Sequence, residues 1–248
     1  MNTPAPTAKP RKPRYPATVK RVQRLTPRMV RVTFTSPELE AFGWNGPAAH
    51  IKLIFPTPAA IRTYTPRRFD AATRELDVDF VVHGEGPASA WAAQAEVGQT
   101  LMIAGPGRNY VIDPRVEWYV LAGDDTAIPA ISTILEVLPP TALATVLLEV
   151  VDAPEEHAIH STGKASITWL HRGEDPSQAG ALLEKNIRAL ELPSGAGRVY
   201  VACEAGAMRR IRRHLLAERS LDRDHVVTRG YWRLGETDHP DGDYGQDS

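Results

Sequence analysis

A single cysteine, Cys203, among 248 residues leaves no intrachain disulfide, which suits a reducing compartment. Aromatic residues are sparse at 7%, and no uninterrupted apolar run is long enough to span a bilayer. Residues 1–16 are rich in Pro, Ala, Lys and Arg and lack the apolar core of a secretory signal. These absences lead us to expect a cytoplasmic chain, with a monomer as the default state. An excess of one charge is also missing: 29 Lys and Arg against 30 Asp and Glu give a net −1, so nothing global attracts nucleic acid. The eight histidines show neither His-x-x-x-His nor Cys-x-x-Cys spacing, so no metal site is expected. No Gly-x-Gly-x-x-Gly, Gly-x-Ser-x-Gly or Walker loop occurs, and no internal repeat.

What is present has the substance of one large or two ordinary domains, with 42% hydrophobic residues to build cores. The first half reads as short strands at about 17–24, 29–35, 49–55, 61–65, 75–82 and 100–104. Pro and Gly clusters such as Ser36-Pro37 and Gly105-Pro106-Gly107 divide them. Six such runs predict a small antiparallel barrel, with one helix near 88–95. After Asp113-Pro114 strands alternate with helices: strands 118–122, 144–151, 166–170, 198–203 and 225–229, helices 127–138, 178–190 and 206–219. That order predicts a parallel α/β sheet with right-handed crossovers. We therefore expect a barrel over 15–114 and an α/β domain over 115–235. They are flanked by a disordered basic head (1–14: Lys9, Arg11, Lys12, Arg14) and a disordered acidic tail (236–248: Glu236, Asp238, Asp241, Asp243, Asp247). The segment 152–164, poor in apolar residues, is expected on the surface.

Two stretches of the barrel half carry chemistry. Arg62-Thr63-Tyr64-Thr65-Pro66 sets a cation, a ring and hydroxyls along one strand, with Arg62 and Tyr64 on one side and Thr63 and Thr65 on the other. His83-Gly84-Glu85-Gly86-Pro87-Ala88-Ser89-Ala90-Trp91 starts a short helix, where Pro87 suits the first turn and the unpaired amides suit phosphate. A phosphate fork, a ring and a second phosphate seat describe a dinucleotide with an aromatic head, and flavin adenine dinucleotide (FAD) matches best. Taken alone, the first stretch is explained more readily by a plain strand with a surface arginine and a half-buried tyrosine. In the α/β half, Gly123-Asp124-Asp125-Thr126-Ala127-Ile128-Pro129 joins the first strand to its helix, at the carboxyl edge where open sheets meet their ligands. An ordinary helix cap at Thr126 accounts for the same residues. Cys203-Glu204-Ala205-Gly206 repeats the arrangement. In the following helix Met208, Ile211 and Leu215 form an apolar stripe, and Arg209, Arg210, Arg212 and Arg213 are expected on the solvent side. Arg209 or Arg210 is placed to meet an anion, while Cys203 is expected as a small buried hydrophobe.

These motifs resemble the siderophore-interacting proteins, flavin-dependent ferric-siderophore reductases related to ferredoxin–NADP reductases. The similarity runs from about Val19 to Gly235. It is carried by His50-Ile51-Lys52-Leu53-Ile54-Phe55-Pro56, Arg62-Thr63-Tyr64-Thr65, and Asp79-Phe80-Val81-Val82-His83-Gly84 with Gly86-Pro87-Ala88-Ser89-x-Trp91. Ala122 to Ala130, Glu204-Ala205 and Gly230-Tyr231-Trp232-Arg233 complete it. The resemblance implies an FAD-binding barrel followed by an NADH- or NADPH-binding α/β domain, with a ferredoxin as another possible donor. Arg62 would hold the pyrophosphate together with Gly86, Pro87, Ala88 and Ser89. Tyr64 would pack on the flavin or its ribityl chain, and Thr65 would approach the reactive ring nitrogen. Thr63, Asp79, Val81, His83, Asp124, Thr126, Ala127, Glu204, Ala205 and Trp232 would complete the cofactor sites, with no catalytic acid or base. Lys52, Arg209 and Arg233 would meet an anionic ferric siderophore, although Leu234 stands where the family often has another basic residue. The expected activity is reduction of siderophore-bound Fe(III) to Fe(II). A general NAD(P)H–flavin or ferredoxin-type reductase and a non-catalytic siderophore-binding flavoprotein are the alternatives.

Overall fold

Alternation is plainest at the start of the chain. Along β1 (Arg14–Arg24), Tyr15, Ala17 and Val19 are buried while Arg14, Pro16 and Lys20 face water. In the computed structural model, residues 12–83, 86–237, 239 and 244 are described. Lys9, Arg11, Gly84, Glu85, Asp238, Asp241, Asp243 and Asp247 lie outside them. β2 (Met29–Thr35), β3 (Ile51–Pro56), β4 (Ala59–Tyr64), β5 (Pro66–Asp70), β6 (Glu75–Val81) and β7 (Thr100–Ala104) join β1 in one antiparallel sheet. Its order is β4-β3-β7-β1-β2-β6-β5. The edge strands β4 and β5 are consecutive in the chain and separated by Thr65, so the sheet curls until its edges approach. Val19, Val32, Phe34, Ile51, Leu53, Leu76, Val78, Phe80 and Ile103 fill the inside. The seventh strand, β5, departs from the six expected. Pro66 and two arginines hide its alternation, and it forms because β6 supplies a ladder. Arg14 pairs with Ala104 in β1, so it belongs to the sheet and not to a disordered head.

α1 (Pro87–Ala93) follows β6 and packs Ala88 and Ala92 into the same core. Between Ala104 and Trp118 the chain crosses to a second sheet. That sheet holds β8 (Trp118–Asp124), β9 (Leu143–Val150), β10 (Lys164–His171), β11 (Gly197–Glu204) and β12 (Val226–Trp232), all parallel, in the order β10-β9-β8-β11-β12. Every residue of β8 is buried, as expected of a parallel strand covered on both faces. α2 (Ile128–Leu135) lies between this sheet and the barrel, and all of its residues are buried, which explains why it is mostly apolar; its polar Thr133 is satisfied by the Ala48 amide and the Ala130 carbonyl. α3 (Ala181–Ala189) and α4 (Ala205–Arg213) cover the other face. After α4 one wider turn follows, in which the Arg219 amide donates to the His214 carbonyl.

One apolar seam joins the two sheets. Met29, Val81, Tyr110 and Val116 pack in the same cluster as Ile131, Leu135 and Leu148. Polar ties flank it. Arg67 makes a two-pronged pair with Glu136 at 2.5 and 3.0 Å. Thr26 donates to the buried Glu155 at 2.5 Å, and Arg28 grips both Glu174 oxygens at 2.6 Å. Most of 152–164 does run at the surface, but Glu155 is drawn inward by Thr26.

Candidate functional site

The strand order of the second sheet reverses at β8. The chain runs outward through β9 and β10, then returns to place β11 on the other side of β8. Ligands settle outside the carboxyl ends at such a switch point. Gly123 permits the close approach there: a Cβ on it would meet Ala127 Cβ at 2.5 Å and the Ala202 carbonyl at 2.7 Å. Asp124 is 1% exposed and collects donors from three segments. One oxygen accepts from the Thr126 amide (3.1 Å) and hydroxyl (2.5 Å). The other accepts from the Glu204 amide (3.0 Å) and the Trp232 indole (2.8 Å). Burial first, and the neighbouring Asp125 second, push its pKa up to about 7. Arg172 pairs with Asp125 at 2.8 Å and tempers this. Asp124 thus ties the ends of β8, β11 and β12 together.

On the barrel side the register bears out the sidedness of the Arg62 motif. Leu53 faces Arg62 and Ile51 faces Tyr64, while Lys52 faces Thr63 and donates to its hydroxyl at 3.4 Å. The half-buried Tyr64 ring lies 4.5 Å from Phe80, which in turn lies 5.6 Å from Trp91. This aromatic stack locks β4, β6 and α1, and burial raises the Tyr64 pKa. Arg62 donates to the carbonyls of Ile61 (2.9 Å) and Thr237 (2.6 Å). Thr65 is buried between β4 and β5. Residues some 170 positions apart therefore meet across the seam. Tyr231, within the Gly230-Tyr231-Trp232 run, sets its phenol 2.9 Å from that of Tyr200 on β11.

Several predicted residues also make contacts within the protein. The Ser89 hydroxyl donates to the His83 carbonyl (3.0 Å) and accepts from its amide (2.8 Å), bracing the turn before α1. Asp79 pairs with Arg31 at 2.6 and 2.8 Å on the face turned toward α2, and Val81 lies in the seam beside it. These two side chains do not join Arg62 and Tyr64, because strand alternation points them away from the barrel interior. Ala88, Ala127 and Ala205 are buried. Glu204 caps α4 by accepting from the Ala207 amide at 2.8 Å. Arg209 is half-buried one turn into α4. Arg212 corrects the expected solvent face: it is buried and donates to Thr228 at 3.2 Å, because β12 covers that side of the helix. Cys203 is buried and its thiol is pushed up by burial, which matches its reading as a hydrophobe. Arg233 is exposed and pairs with Glu236 at 3.3 Å, next to the half-exposed Leu234.

The α1 start fits a phosphate-bearing cofactor on its geometry. Gly86 precedes the helix in an extended conformation, no side chain caps the first turn, and a Cβ on Gly86 would find nothing nearer than Ser89 Cβ at 3.9 Å. A curled antiparallel sheet joined through an apolar seam to a parallel α/β sheet, with the site at the switch point, defines a ferredoxin-reductase-like fold. The comparisons agree. Residues 18–60 and 57–110 match the siderophore-interacting FAD-binding domain, and residues 116–235 match the siderophore-interacting protein family. The ferric vibriobactin reductase ViuB of Vibrio cholerae is 36% identical over 234 residues, covering 85% of this chain and 86% of the relative. A siderophore utilization protein from T. fusca superposes with a TM-score of 0.85 at 38% identity, covering 92% of this chain and 96% of its own. A ferredoxin NADP+ reductase from Neisseria gonorrhoeae with bound FAD and NADP shares the fold at a TM-score of 0.66 and 16% identity, covering 88% of this chain and 99% of that one. The chain belongs to the siderophore-interacting protein family.

Proposed function

We propose that this protein transfers electrons from NADH or NADPH, through FAD, to a ferric siderophore, and so releases the iron as Fe(II). The observation that carries this reading is the meeting of the Arg62–Thr65 motif with the chain that leaves the carboxyl end of β12, through the bond from Arg62 to the Thr237 carbonyl. Arg62 and the amides at the start of α1 would hold the FAD pyrophosphate, and Tyr64 would bear on the ring system. The loops after β8 and β11 would seat the nicotinamide, with Asp124 holding Trp232 and Glu204 in register. Bound FAD accepts a hydride and returns electrons singly, which suits a one-electron ferric acceptor.

The remaining chemistry belongs to the metal and the field. Fe(III) is held tightly by hard oxygen donors and Fe(II) far less so, so reduction is itself the release step. The protein then needs to attract an anionic chelate and exclude disorder at the ring. Lys52 on the outer side of β3 and Arg233 beyond β12 supply positive charge for that encounter. Among the described residues no helix is long and apolar enough to cross a membrane. We place the protein in the cytoplasm as a monomer, with ferredoxin as a second donor to be tested.

The test is stopped-flow mixing of the FAD-loaded protein with NADPH and with NADH, then with a ferric siderophore. Bleaching of the flavin band by a nicotinamide and its return with the chelate is the expected result. An unchanged band would convert the protein into a binding module. Bleaching with ferredoxin but neither nicotinamide would reassign the donor.

A further inference from the structure

The outward side of the first sheet carries two unlike rows. Strand register sets Arg14, Ala104, Lys52 and Thr63 side by side across β1, β7, β3 and β4. Two residues further along β1 and β3, Pro16, Met102, Ile54 and Ile61 stand side by side in the same way. Their neighbours Tyr15, Leu53 and Ile103 are buried in the barrel core, so alternation turns both rows outward. Water-facing positions of an antiparallel sheet are ordinarily polar. The first row keeps that rule and the second breaks it: Pro16 is exposed, Ile54 and Met102 are partly so, and Ile61 is 48% exposed. Thr18 and Thr100, paired one step beyond, close the apolar strip on the β1–β7 side. With strands about 4.8 Å apart the strip is about 14 Å long, and the cationic row runs about 7 Å from it. Neither row holds a carboxylate. Lys12 brings a third cation to the same end of the face, where its ammonium donates to the His50 ring at 3.3 Å.

A surface that is basic along one line and apolar along the next suits a ligand built the same way. We propose that this face binds an amphiphilic ferric chelate, its anionic head on the Arg14–Lys52 row and one acyl chain along Met102, Ile54 and Ile61. This site rests on the preceding reading of Lys52 as a meeting point for a ferric chelate, and it narrows the substrate to acylated chelates. Charge selects the head, because Arg14 and Lys52 flank the small Ala104 with no opposing acid. Size selects the tail. A folded protein would cover about 800 Å² on each side, whereas a strip of single side chains takes one extended chain. That chain leaves water on one side only. Full burial is worth roughly fourfold in affinity per methylene, so coverage of one side gives about twofold.

Isothermal titration of the full FAD-loaded chain, with no reductant present, tests this. The probe is a carboxylated ferric trihydroxamate, bare or carrying a butanoyl, octanoyl, dodecanoyl or palmitoyl tail, each below its micelle concentration. Affinity should rise about tenfold from butanoyl to octanoyl and again to dodecanoyl. It should then level off at palmitoyl, because an extended dodecanoyl chain already spans the strip. Met102→Thr combined with Ile61→Thr should remove the rise and leave affinity for the bare chelate within about twofold, since threonine suits an exposed strand position. Arg14→Gln should weaken every member of the series by the same factor, about threefold, and the loss should shrink in high salt. Affinity that is flat across the tails in the parent protein, or a rise that survives the double exchange, overturns the proposal. Capture of the protein by phosphatidylglycerol vesicles that the double exchange abolishes also overturns it, by giving the face to a lipid surface. Tail-dependent binding to a protein that never reduces the bound chelate would strike the preceding subsection and leave this site standing. Reduction of the bare chelate with a flat series would strike this site alone.

Discussion

The two halves build their share of the site by opposite means. The barrel half displays its groups by strand register: Lys52 and Thr63 fall on one side of β3–β4 and Arg62 and Tyr64 on the other, held by a ladder of backbone bonds. The α/β half gathers its elements around one buried carboxyl, Asp124, which accepts from Thr126, Glu204 and Trp232. The first arrangement tolerates loss of a side chain, because the backbone keeps its place. The second does not, because removing the acceptor strands several donors at once.

Asp124 is where this contrast is easiest to break. Asp124→Ala should cost about 3 kcal/mol of stability in urea unfolding, since the Trp232 indole and the Glu204 amide lose a buried partner. The same residue sets a pH trend. The folded protein holds the Asp124 proton up to about pH 7, whereas the unfolded carboxyl releases it near 3.8. Across that window the folded state binds more protons, so stability falls as pH rises, by at most about 1.4 kcal/mol per pH unit. Asp124→Asn should flatten the melting temperature against pH between these limits; a profile of unchanged slope removes Asp124 as its source.

The barrel side should respond in ligand binding with little change in stability. Arg62→Ala should weaken FAD binding by about 2 kcal/mol, or roughly thirtyfold, the worth of a charge-assisted bond to phosphate. Arg62→Lys should recover part of it, and an Arg62→Ala protein that keeps full FAD occupancy at low concentration would take Arg62 out of the site. Lys52→Ala combined with Arg233→Ala should raise KM for an anionic ferric chelate about tenfold with kcat held, and the difference should shrink in high salt. A KM independent of both residues and of salt would move the substrate elsewhere. The smallest effect belongs to the seam. Glu155→Ala leaves the buried Thr26 hydroxyl without its acceptor and should cost about 1 kcal/mol in unfolding.

Much of this was legible in one dimension. The alternation in β1, the change of texture after Asp113-Pro114 and the loops after β8 and β11 predict the two-sheet plan, because burial on one or both faces writes a period into the residues. The Arg62 motif and the Gly-Tyr-Trp run were likewise visible as candidate site segments. What escaped were roles that depend on an opposite wall. Arg212 looks solvated on a helical wheel until β12 covers it. Asp79 shows no sign of its partner until Arg31 is found across the ladder. Glu155 sits in a polar stretch yet is drawn inward by Thr26. Tyr200 reads as one more apolar strand position until its neighbour strand presents a second phenol.

Residue order alone decided which segments become strands and helices, β5 excepted, where the chain changes from one sheet to the other, and which stretches carry cations and hydroxyls. Local physics suffices for these, because period, propensity and turn chemistry act over a few residues. Packing of the two sheets decided which of those groups share a site. Arg62 with Thr237 and Asp124 with Trp232 are pairings between distant segments, and no local rule encodes a contact that exists only once the sheets have packed.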